Sequence, residues 1–300
     1  MITPQTQTTA ERLAAIACCP CCANPLRAEQ TSLRCLQGHR FDLARQGYVN
    51  LLRQQGQPRN ADTAPMVAAR QRILRGPYTP LRAAVAAFAA QHLSHLAPTA
   101  AAPLLLDAGA GPGLYLAAAL DACPGARGCA LDLSKEAARA AARAHPELVA
   151  MVADVTTQIP LHSRCADLIL SAFAPRNPEA FARLLRPGAR IITAQPLPQH
   201  LAELRARWPI LGLHPGKEEA LHALMAPHFT PIDTQTHAWP LALTRADLTD
   251  LLAMGPNAFH PERWQHLVAA LSADALVEVS GAVRLCAWQA TDAPPRPAPD

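Results

Sequence analysis

Four residues near the start of the chain constrain it more than any other feature. Cys19 and Cys22 are followed by Cys35 and His39, a C-x2-C pair and then C-x3-H. A C-x2-C pair puts two sulfurs on one tight turn. A second pair, brought alongside by a short hairpin, completes a tetrahedron suited to Zn²⁺. With all four positions filled by protein, such a site is structural and leaves no place for a reactive water. Cys18 and Cys21 offer a second C-x2-C in an overlapping register; Cys19 is favoured because Pro20 follows it, as is common in zinc knuckles.

The rest of the composition agrees with a metal module in a reducing compartment. The chain has nine cysteines, an odd number, and five of them fall within 18–35. That clustering, without a signal peptide, argues against a disulfide framework. Cys123, Cys129, Cys165 and Cys286 sit in apolar contexts and read as small buried hydrophobes. No stretch approaches the ~20 apolar residues of a membrane span, so the expectation is a soluble, cytoplasmic protein with no membrane partner. Charged residues make up 17% and the net charge is +4, which is compatible with a polyanionic partner without requiring one.

Three hundred residues allow one large domain or two ordinary ones. Residues 1–17 read as a tail with a turn of helix, and 18–52 as the metal module. Residues 53–100 read as a linker with helices, of which 53–63 is a polar loop containing Gly56 and Pro58. Helical periodicity runs through 64–75 and 81–96. From Pro103 the rhythm changes. Strands are expected at 104–106, 128–131, 148–152, 167–171 and 190–194, with helices between them at 114–122, 135–144 and 179–185. This alternation predicts a parallel sheet covered on both faces. Later segments 229–237 and 277–288 read as an antiparallel strand pair, with helices at 200–206, 217–226, 244–254 and 261–271. The large domain thus spans 101–290, and 291–300 reads as a Pro-rich disordered tail.

The second informative motif is Asp107-Ala-Gly109-Ala110-Gly111-Pro-Gly113, between the first of these strands and its helix. Glycines permit the sharp turn and let a ligand approach the backbone. The G-x-G-x-G form preceded by Asp differs from the dinucleotide fingerprint and is the pattern of S-adenosylmethionine-dependent methyltransferases. Asp132 ends the next strand, where a carboxylate can accept both ribose hydroxyls. Asp154 follows the third strand, where such enzymes meet the adenine edge. A Gly-rich turn alone is weak evidence; all three in register are strong. The plain alternative is a nucleotide-binding or vestigial Rossmann-like domain.

Ala174-Pro-Arg176-Asn177 follows the strand at 167–171, at the carboxyl end of the sheet where substrates collect. Arg176 is placed to contact phosphate or a base edge, and Asn177 to hydrogen-bond one. Equally, Asn177 is placed to cap the helix that Pro178 opens. Tyr78 and His200 stand alone, and by residue type alone each reads as packing or surface. Arg40, Arg45, Arg53, Arg59, Arg70 and Arg72 form a basic stretch for phosphate contacts or a solvated face.

Taken in order, these residues resemble the bacterial 23S rRNA guanine-N1 methyltransferases of the RlmA type. The likeness covers most of 19–288. It runs through Cys19-Pro-Cys-Cys22, Cys35-Leu-Gln-Gly-His39-Arg-Phe-Asp, Gly47-Tyr-Val-Asn-Leu-Leu52 and Gly76-Pro-Tyr78-Thr-Pro80. It continues through 107–113, 131–135, Ala174-Pro175, Pro196-Leu-Pro-Gln-His200-Leu and Met254-Gly-Pro256. The resemblance implies a Rossmann-like class I methyltransferase fold behind a small N-terminal zinc-binding, RNA-recognition module. It implies a homodimer clasping a hairpin loop of 23S rRNA. Carried over by position, Cys19, Cys22, Cys35 and His39 are the zinc ligands. Tyr78, Gly109, Ala110, Gly111 and His200 are contacts of S-adenosylmethionine, with Asp132 at the ribose. Ala174–Asn177 is closer in form to the branch associated with macrolide (tylosin-type) resistance. Two rival readings remain: a small-molecule methyltransferase, which gives the zinc module no purpose, and a catalytically silent zinc/RNA-binding protein, against which the intact glycine turn speaks.

Overall fold

The computed structural model describes residues 7–53, 61–96, 101–212 and 216–291. The chain begins with α1 (Thr9–Ala14), then β1 (Leu26–Ala28), β2 (Ser32–Cys35), β3 (Arg40–Asp42) and β4 (Tyr48–Asn50). Helices α2 (Ala64–Arg75) and α3 (Thr79–Leu93) follow. Next come β5 (Leu104–Ala108), α4 (Leu114–Ala122), β6 (Arg127–Asp132), α5 (Lys135–Ala141) and β7 (Leu148–Val152). Then come β8 (Ala166–Ala172), α6 (Pro178–Leu184), β9 (Leu185–Pro196), α7 (Ala202–Arg207) and α8 (Lys217–Met225). The chain closes with β10 (Phe229–Leu243), α9 (Arg245–Ala253), two short 3-10 turns, α10 (Gln265–Ala269) and β11 (Val277–Ala290).

Strands β1–β3 form a small antiparallel sheet, and the other eight form one large sheet in the order β10-β11-β9-β8-β5-β6-β7-β4. From β4 to β9 neighbours run parallel, while β11 is antiparallel to β9 and to β10. The expected alternation of strands and helices is therefore present, as is the late antiparallel pair. Side chains alternate across the sheet, as pleating requires. Leu105, Leu148, Ala150 and Val152 pack with α2, α3 and α4 on one face. Leu104, Leu106, Val149 and Met151 pack with α1, α6 and the metal module on the other. Local signals set the helix starts: Ser134 caps α5, Asn177 caps α6, and Thr244 with Asp247 closes a capping box on α9.

Two N-terminal segments are tied to the large domain by contacts that the sequence does not display. The segment read as a tail with a turn of helix carries that helix at Thr9–Ala14, packed into the core shared with the sheet. Thr8 and Glu11 form a capping box, Leu13 is fully buried, and Ala17 bridges Leu161. The apolar pair Ala10 and Leu13, one helical turn apart, supplies the driving force. Tyr48–Asn50, at the end of the segment read as the metal module, adds to the large sheet as its edge strand, paired parallel with β7. Val49 and Leu51 drop into the same core as Leu26, Leu33 and Cys35 of the module and Val149 and Met151 of the sheet. The module and the large domain are thus joined by a continuous hydrophobic core.

Of the expected loop at 53–63, residues 54–60 lie outside the described residues, as do residues 292–300 of the expected tail at 291–300. Among the described residues, no helix is long and apolar enough to cross a membrane.

Candidate metal centre and candidate active site

Cys19, Cys22, Cys35 and His39 converge, with all four ligand atoms within 4.8 Å of one another. The Cys19 Sγ–His39 Nδ1 distance is 3.5 Å, Cys35 Sγ–His39 Nδ1 is 3.3 Å, and Cys22 Sγ–Cys35 Sγ is 3.6 Å. A tetrahedral Zn²⁺ with ordinary Zn–S and Zn–N bonds has ligand-to-ligand edges of roughly 3.5–3.8 Å, so the donor set fits that ion. Backbone bonds close the two turns: Ala23 N–H donates to Cys19 O, and Gly38 N–H donates to Cys35 O. The converging set is the Cys19/Cys22 register. Cys18 faces away, its Sγ 3.1 Å from His162 Nδ1, and Cys21 is exposed.

At the carboxyl ends of β5, β6, β7 and β8 lies a cavity of ≈ 540 Å³. Tyr78, Gly109, Ala110, Gly111, Asp132, Asp154 and His200 all line it. Its size is that of an ordinary small-ligand site. The glycine turn is built onto β6: the N–H groups of Gly109 and Ala110 both donate to Leu131 O, at 2.9 and 3.0 Å. Gly109 has φ +78°, and a Cβ there would lie 2.4 Å from Ala174 Cβ, so this glycine lets the loop after β8 rest on the turn. Asp132 accepts from Gly111 N–H (2.7 Å) and Ser134 N–H (2.8 Å). Burial raises its pKa, opposed by those two bonds. Asp154 accepts from Thr156 N–H and Oγ1–H, at 2.9 and 2.6 Å.

Tyr78 and His200 meet inside the protein. Ala282 N–H donates to His200 Nδ1 (3.1 Å), which leaves the proton of a neutral ring on Nε2. Nε2–H therefore donates to Tyr78 Oη, 3.1 Å away, and the tyrosine hydroxyl proton is free for another acceptor. Burial, aided by Arg205, lowers His200 to about 4. Burial raises Tyr78. Neither is a base at neutral pH. Trp239 holds the pair in place, its ring edge-on to Tyr78 at 5.5 Å. It can do so because its cross-strand partner is Gly281, where a Cβ would lie 2.3 Å from the indole.

Three sequence-predicted residues do not face the cavity. Asp107 sits behind the turn, fully buried, with Oδ2 unpartnered, and burial followed by the charge of Asp132 raises it to about 8. Arg176 turns back toward the carbonyls of Ser171 and Ala194, at 3.4 and 3.3 Å, rather than toward a phosphate. Asn177 is occupied as the α6 cap: Oδ1 accepts from Ala180 N–H, and Nδ2–H donates to the carbonyls of Thr156 and Thr157.

Other residues that carry no motif of their own also line the cavity, among them Asp62, Tyr115 and Phe173. Arg70, read as one of a basic stretch, lines it too. It pairs with Asp62 and donates to Met254 O, tying α2 to the segment after α9. Arg72 is spent on Asp250, at 2.5 and 2.6 Å, and Arg40 on Asp42 at 3.0 Å, so the stretch is not a continuous free surface. Arg59 lies outside the described residues.

The family model described as "RlmA, N-terminal" matches residues 17–57, and one described as "Methyltransferase domain" matches residues 105–193. The 23S rRNA (guanine(748)-N(1))-methyltransferase of Streptomyces fradiae is 42% identical over 245 residues, covering 81% of this chain and 86% of the relative. A protein of Micromonospora griseorubida, provisionally named a 23S rRNA (guanine-N(1)-)-methyltransferase, is 43% identical over 286 residues, covering 90% of this chain and 96% of the relative. YxjB of Bacillus subtilis, with the same provisional name, is 36% identical and covers 62% of this chain. With zinc-ribbon donors at its N-terminus and a methyltransferase domain behind them, the chain belongs to the family of 23S rRNA (guanine-N1)-methyltransferases.

Proposed function

We propose that this protein transfers a methyl group from S-adenosylmethionine to N1 of a guanine in a hairpin loop of 23S rRNA. The observation that carries the reading is one cavity lined at once by the Gly109–Gly111 turn, Asp132 at the end of β6 and Asp154 just beyond β7. S-adenosylmethionine supplies an electrophilic methyl on a sulfonium cation. Tyr78, Gly109, Ala110, Gly111, Asp132, Asp154 and His200 are the residues that would hold it. Asp62, Asp132 and Asp154 against the single guanidinium of Arg70 give the cavity a negative bias suited to that cation.

Guanine N1 carries a proton at neutral pH; it passes to water as the N1–C bond forms and the donor's S–CH3 bond breaks, leaving the thioether S-adenosylhomocysteine. Each carboxylate on the cavity wall already holds hydrogen bonds: Asp62 from Arg70, Asp132 from two amides, and Asp154 from Thr156. The protein's contribution is alignment of N1 and exclusion of competing orientations. Cys19, Cys22, Cys35 and His39 hold a structural Zn²⁺ that shapes the RNA-recognition module. The family likeness supports a homodimer acting in the cytoplasm and a place in the tylosin-type resistance branch. Residues 18–52 and 101–290 are the functional divisions.

The test is incubation with tritiated S-adenosylmethionine and unmodified bacterial 23S rRNA, followed by nuclease mapping and mass spectrometry. N1-methylguanine in one hairpin loop is the expected product. Cofactor binding with no label in RNA would refute the substrate, and light scattering checks the dimer.

A further inference from the structure

Phe173 is the unusual residue at the mouth of the cavity. It has φ +55°, a left-handed backbone that a side-chain-bearing residue adopts at a cost. It is also a large aromatic left 43% exposed. Both features normally disfavour phenylalanine, yet the position is over-determined. Its N–H donates to Ala194 O (3.0 Å), Ala174 rests on Gly109, and Pro175 fixes the next backbone angle. The ring is backed by Tyr115, centroids 6.3 Å apart and tilted by 35°, and lies on the wall of the cavity together with Ala174 and Pro175. The neighbouring polar side chains do not compete for a ligand there, since Arg176 and Asn177 are spent on backbone groups.

We infer that Phe173 is the stacking platform for the target guanine. This rests on the substrate reading above. A base drawn out of a loop loses its stacking partners, and an exposed ring on a rigid loop replaces one of them without a further ordering cost. The loop that carries the ring touches the cofactor turn at Gly109, so a base on Phe173 is held beside the methyl donor rather than at a remote RNA contact.

Four variants test the assignment: Phe173→Ala, Phe173→Leu, Phe173→Gly and Phe173→Tyr. Loss of one base stack predicts kcat/KM for RNA lower by on the order of 10- to 100-fold in the first three. Affinity for S-adenosylmethionine by calorimetry should stay within about 2-fold, and Phe173→Tyr should restore the rate. Phe173→Gly relieves the left-handed strain and should melt no lower than wild type, which separates lost stacking from lost fold. With 2-aminopurine at the mapped guanine, wild type should quench the extruded base, and Phe173→Leu should leave it bright. A Phe173→Leu enzyme with the wild-type RNA rate overturns the platform while the substrate reading stands. Equal loss of cofactor affinity in these variants also overturns it, assigning the ring to the cofactor wall. Wild type that labels no RNA overturns the substrate reading and the platform together.

Discussion

Gly109→Ala measures how tightly the loop after β8 is seated on the cofactor turn. The added Cβ would sit 2.4 Å from Ala174 Cβ, on a backbone at φ +78°. The left-handed conformation costs an alanine about 1–2 kcal/mol. Restoring an ordinary carbon–carbon contact requires movement of roughly 1 Å, and overpacking of this kind costs about 1–3 kcal/mol. The expected loss is therefore about 2–5 kcal/mol, or roughly 3–8 °C in melting midpoint for a chain of this size. Gly125 provides the control: its φ is +85°, with nothing within 4 Å of an added Cβ, so Gly125→Ala carries the backbone cost alone. The two variants are compared by thermal melting, and by methyl transfer to RNA at saturating cofactor. The displaced loop carries Phe173, so Gly109→Ala should also lose RNA turnover while Gly125→Ala keeps it. If Gly109→Ala melts no lower than Gly125→Ala and methylates RNA at the same rate, the loop yields freely and the reasoning about its seating is wrong.

Cys35→Ser should lower bound zinc, measured by plasma mass spectrometry, and lower the melting midpoint while cofactor binding persists; unchanged metal content would remove Cys35 from the ligand set. Asp107 has a folded pKa of about 8, above its unfolded value, so the stability it permits is complete below pH 4 and lost as pH rises through 8. Asp107→Asn should therefore outlast wild type in denaturant at pH 9, by a few kcal/mol on the order expected from that shift, with the gap narrowing at pH 5. An unchanged pH slope would count against it. Ser134 Oγ accepts from Ala137 N–H (3.2 Å) and donates to Asp62 O (2.6 Å), so Ser134→Ala should cost about 1 kcal/mol and weaken cofactor binding several-fold by calorimetry. Retained affinity would show that the Asp62 segment does not shape the site.

Much of the molecule was legible because its signals are local. The strand–turn–helix around Asp107–Gly113, the strand-end position of Asp132 and the two metal-binding pairs each follow from spacing along a few residues. What escaped depends on distant neighbours. A three-residue strand at Tyr48–Asn50 carries no pattern of its own; only β7, about a hundred positions later, makes it a strand. Phe173 reads as an ordinary apolar residue until its backbone angle and exposure are seen. Arg176 was legible as a cation but not in direction, because the carbonyls it faces belong to the ends of two strands.

The placement of β4 has a consequence for anyone cutting the chain into parts. Every residue of β7 is buried, and its outer edge is covered by Tyr48–Asn50 alone among the described strands. A fragment starting after the metal module would present Leu148-Val-Ala-Met-Val152 as a naked, wholly apolar sheet edge. That is a template for intermolecular strand pairing. The N-terminal module thus also acts as the large domain's guard against aggregation, and the methyltransferase half should be handled with the first fifty residues attached.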